Sequence, residues 1–207
     1  MKICGFMLVR KPENNYDPMG KGIWPRQAPR IGNIYYGGAW RMPWCDIDFD
    51  LYDGKLPGEV RDLYSANVSD LQGSGFALCR VPEIASKFLE YCNRDQQQCE
   101  LIAVYSARLA SMKGTIRIAN VPLEHQGWEP FQIGGGSLLA DGIFVLPYQF
   151  PAWPQKLNDN GLLTSAEECL QYISEYQHLI KAGLLEEIFP VELCPIEPVE
   201  IWSVRTP

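Results

Sequence analysis

The chain has 207 residues, 46% apolar and 21% charged, a composition that excludes an intrinsically disordered chain and supplies enough apolar surface for a sizeable core. Its formal charge of −7 repels phosphate backbones and makes nucleic acid a poor partner, and no apolar run approaches the roughly 20 residues of a membrane span. Seven cysteines, none in C-x-x-C spacing, fit reduced, core-packed thiols in a cytoplasmic protein better than a disulfide framework or a thiolate zinc site.

The charge is unevenly spread. Residues 1–45 carry seven Lys or Arg against Glu13 and Asp17, so the remaining 162 residues hold −12. Sixteen prolines and eighteen glycines indicate short elements and many turns. The expectation is one domain over residues 1–207, α+β, with a largely antiparallel sheet and two main helices at about 82–94 and 165–182.

Ile3–Val9 reads as a buried first strand; its apolar run meets Arg10-Lys11 without a small-residue cleavage site and is not a signal peptide. Residues 10–30 read as a long loop or arm. Gly32–Gly38 and Trp44–Tyr52 follow as strands, and 56–68 as an irregular helix. Over 82–94, Pro82 suits the first helical position and Ile84, Phe88, Tyr91 and Cys92 share a face. Glu100–Leu109 and Thr115–Val121 read as strands joined through Lys113-Gly114, with shorter strands at Gln132–Ile133 and Gly142–Leu146.

Thr164 with Glu167 forms a capping-box pattern for the helix over 165–182, and Gly183 can close it. Cys169, Ile173, Tyr176 and Ile180 make its apolar stripe, with Glu167, Gln171, Ser174 and His178 on the wet side. Val199–Val204 reads as a final strand.

The most regular pattern is Cys-Asp-Ile-Asp-Phe-Asp-Leu-Tyr-Asp at 45–53. As a strand it puts Asp46, Asp48 and Asp50 on one face, with Asp53 just beyond. Three uses are open: a solvated face, a docking surface for a basic partner, or a divalent-metal site. An EF-hand loop counted from Asp46 would need Gly at Leu51 and Glu at Pro57, and fails. Carboxylates about 6.5–7 Å apart along a strand can share a cation only by leaning together. Trp40 and Trp44 beside the stripe offer anchors for a lysine- or arginine-rich surface.

Other constellations are weaker. His125 and His178 are the only histidines, so a three-histidine metal site is excluded. Glu124-His125 and Glu129 can supply an acid/base pair, but the stretch reads better as a surface turn. Gly73-Ser74-Gly75 lacks the nucleophile-elbow spacing, and Gly134-Gly135-Gly136-Ser137 lacks the lysine of a phosphate loop.

No catalytic residue, metal ligand set or cofactor site follows. The sequence points to an acidic protein-binding module, most concretely an immunity protein that neutralises a basic toxin, with Asp46, Asp48, Asp50, Asp53, Trp40 and Trp44 as contacts. The alternative is a small divalent-metal-dependent hydrolase or transferase built on Asp46, Asp48 and Asp50.

Overall fold

The computed structural model describes residues 1–10, 58–59, 61–62, 65–66, 78–94, 99–118, 120–132, 136–138, 156–158, 162–184 and 191–205. The described elements are β1 (Lys2–Ile3), β2 (Gly5–Arg10), α1 (Pro82–Arg94), β3 (Cys99–Tyr105), α2 (Ala107–Lys113), β4 (Ile116–Arg117), β5 (Leu123–Gln132), β6 (Gly136–Ser137), α3 (Ala166–Lys181) and β7 (Ile196–Val204).

Five strands form one sheet in the order β2-β3-β7-β5-β6, while β1 and β4 pair separately, and every described pairing is antiparallel. The fold is α+β, as composition and element order indicate. The C-terminal strand lies at the centre of the sheet, between β3 and β5.

Strand alternation divides the core into two clusters on opposite faces. Leu101 and Ala103 of β3 join Phe6 of β2 and Ala85 and Phe88 of α1 on one face. Ile102 and Val104 of β3, Met7 of β2 and Val199 and Ile201 of β7 point the other way. They meet Cys169, Tyr172, Ile173, Tyr176 and Leu179 of α3. Accordingly α1 packs on β2 and β3, and α3 packs on β5 and β7 across the sheet.

The two long helices follow their sequence signals. α1 begins at Pro82 with Glu83 in its first turn. In α3 the N-cap is Ser165 and not Thr164: the Ser165 side chain accepts from the Glu168 backbone N–H at 3.2 Å. Glu168 reaches back to accept from the Thr164 N–H and hydroxyl, so the capping box sits one residue later than the Thr164/Glu167 pattern. The Thr164 hydroxyl, more than any other influence, holds the Glu168 carboxyl below its ordinary range. At the other end Leu184 N–H donates to Leu179 O and Gly183 N–H to Ile180 O, a Schellman closure with Gly183 at φ +68°. Glu167, Gln171, Ser174 and His178 are exposed, as the stripe requires.

Three local readings are corrected. The strand placed over 100–109 stops at Tyr105, because Ser106 caps α2 by accepting from the Leu109 N–H at 3.0 Å. Ser106 donates in turn to the Glu197 carboxylate, which also accepts from the Arg108 N–H at 3.1 Å. Gly114 then serves as the C-cap of α2 and not as a hairpin turn, and β4 pairs with β1.

The third correction concerns 124–129, read as a turn and found inside β5, the longest described strand. Alternation there is broken by a bulge between His125 and Gly127. Pro130 is tolerated because it opposes Pro198. Trp128 N–H points outward to Leu163 O, which makes Pro130–Pro198 a pair that exchanges no ladder bonds.

Residues 58, 59, 61, 62, 65 and 66 are helical and fall within the helix read over 56–68. Of the arm read over 10–30, Arg10 ends β2 and the rest lies outside the described residues, as do the strands read at 32–38, 44–52 and 142–146.

Candidate functional site

Asp46, Asp48, Asp50, Asp53, Trp40 and Trp44 all lie outside the described residues. The acid/base candidates at 124–129 are described, and the structure separates them. Glu129 pairs in register with Val199 and points into the core under α3, only 3% exposed. His125 pairs with Trp202, on the face that carries α1. Glu124 accepts from exposed Arg205 at 2.9 Å. The sheet thus holds Glu129 and His125 on opposite sides, where they cannot share a proton.

What the fold assembles around His125 is a different group. Its Nε2 lies 3.6 Å from the Glu200 carboxylate, with the two side chains 35% and 22% exposed. The ring stands edge-on to Trp202 at 4.7 Å between centroids and to Trp128 at 6.2 Å. Trp128 opposes Glu200 in the ladder and His125 opposes Trp202, so two adjacent cross-strand pairs build the patch. Both indoles are half-buried: Trp202 rests against the α1-side core, whereas Trp128, opposite Glu200 in the ladder, packs against the α3-side core.

Sequence reasoning found His125 but not its partner, 75 positions away. The strand read at Val199–Val204 contained the signal in its alternation of Glu200, Trp202 and Val204. Only the register of β5 on β7 connects that signal to His125.

Two of the described thiols are held protonated by their surroundings. Cys4, Cys79 and Cys169 are buried and Cys194 is half-buried, and none of the four is in a disulfide. Burial raises the Cys4 thiol pKa, and burial followed by the Glu129 charge pushes Cys169 far up, which removes the thiolate that nucleophilic chemistry needs. Ser106 is buried and committed to capping α2.

Among the described residues no group of three or more His, Cys, Asp or Glu side chains is arranged to hold a metal ion. No described helix is long and apolar enough to cross a membrane. Comparison with protein-family models, curated proteins and solved structures finds no match to this chain.

Proposed function

We propose that the chain is an acidic, cytoplasmic protein-binding module, most concretely an immunity protein that neutralises a basic toxin or enzyme. The observation that carries this reading is the charge asymmetry: −12 over the 162 residues from Asp46 onward, with Asp46, Asp48, Asp50 and Asp53 grouped beside Trp40 and Trp44. Enzymes that act on anionic substrates present cationic clefts, and an acidic inhibitor is steered onto such a cleft and displaces the substrate there. The tryptophans supply the buried anchors that charge alone does not. The free thiols of the described core suit a reducing compartment.

The test is titration of the purified chain against the basic product of a neighbouring reading frame, with that product's activity measured in parallel. Nanomolar binding with loss of activity supports the reading. A partner that stays active in the presence of excess chain contradicts it.

A further inference from the structure

The arrangement of the two helices leaves one part of the sheet distinct. α1 covers β2 and β3 on one face, and α3 covers β5 and β7 on the other. The α1-side face of β5 and β7 is where Trp128, His125, Trp202 and Glu200 come together.

Three observations on this patch concern a ligand. The Glu200–His125 contact at 3.6 Å is too long for a good hydrogen bond, so the carboxylate keeps acceptor capacity. Neither indole N–H donates to an acceptor among the described residues. Half-buried tryptophans normally use that donor, often across an interface. Finally, Glu124 and Arg205 pair with each other nearby, so among the described residues no Lys or Arg side chain pairs with Glu200.

We propose that this patch docks an arginine side chain of a basic protein partner, and the proposal rests on the protein-binding reading above. The guanidinium donates two parallel N–H bonds to the Glu200 carboxylate and lies against the indole faces, whose π-clouds attract cations more strongly than any other side chain's. The indole N–H groups donate to backbone carbonyls of the same partner segment. Lysine fits less well, because a compact ammonium can neither fork onto a carboxylate nor stack. His125, edge-on between the rings, fixes their spacing.

The test follows the indole N–H signals of the full chain by NMR, with Trp128 and Trp202 assigned through Trp128→Phe and Trp202→Phe. An oligo-arginine peptide is the first probe and an oligo-lysine peptide of equal length the second. Both indole signals should shift and saturate with oligo-arginine, with affinity about tenfold weaker for oligo-lysine. Glu200→Gln should weaken oligo-arginine binding about tenfold without changing the melting temperature. Static indole signals overturn the proposal, as does equal binding of both peptides or of the Glu200→Gln variant. If the peptide binds with static indoles and Asp46→Lys with Asp48→Lys abolishes that binding, the patch is refuted while the acidic-module reading stands.

Discussion

Cys169 shows how a single buried group ties sequence to stability. It lies in the larger core cluster, hydrogen-bonded to the Val199 backbone, and burial first and Glu129 second hold its thiol protonated in the fold. In an unfolded chain a cysteine ionises near pH ~8.5. Above that pH the native state binds more protons than the unfolded state, so stability is present at lower pH and lost as pH rises. The slope is about 1.4 kcal/mol per pH unit from this thiol. Cys4, raised mainly by burial, contributes with the same sign. Urea unfolding between pH ~8.5 and ~10.5 should therefore show falling stability, with a slope shallower in Cys169→Ala by about that amount. Equal slopes in the two proteins would show that Cys169 ionises as easily folded as unfolded. The cysteine's apolar surroundings were legible in the sequence, but its acidic neighbour was not, because Glu129 reads as part of a turn until β5 is placed.

At the level of elements, legibility followed the range of the signals. The helix over 82–94 was readable because its first-position proline and apolar face are local, and the helix over 165–182 because its cap, stripe and closing glycine are. β5 was not readable, because the bulge at Gly127 breaks alternation and Pro130 imitates a turn. That bulge has a packing reason. Gly127 adopts φ +145°, and a Cβ there would lie 2.7 Å from Leu162 Cβ and 2.8 Å from Leu163 O. Asn158 completes the contact by donating to Gln126 O at 2.7 Å and accepting from the Leu162 N–H at 3.1 Å. Gly127→Ala should consequently cost about 3 kcal/mol or more, from backbone strain and overpacking together. Thermal unfolding of the variant measures it, and an unchanged midpoint would mean that the 162–163 segment does not press on β5. The pairing of His125 with Glu200 is the extreme case, since no local pattern specifies which strand lies beside β5.

Across the whole molecule, the C-terminal strand joins the two halves of the sheet, and its two faces carry Glu197, which secures α2, and Glu200, which completes the tryptophan patch. Charge, in contrast, is organised along the chain: a basic first 45 residues and an acidic remainder. In the proposed function, long-range attraction to a cationic partner comes from that sum, and specificity would come from local groups, the acidic stripe read at 46–53 and the patch on β5 and β7. Composition and charge made the first legible in the sequence, and local alternation the stripe; the patch required the register of β5 on β7. The most direct measurement of the central claim is the salt dependence of binding to the basic neighbouring gene product, for the native chain and for Asp46→Lys with Asp48→Lys. The account predicts nanomolar binding that weakens at least tenfold from ~0.05 to ~0.5 M salt and is lost or reduced a hundredfold or so by the charge reversal. Binding that is indifferent to both salt and charge reversal would contradict it.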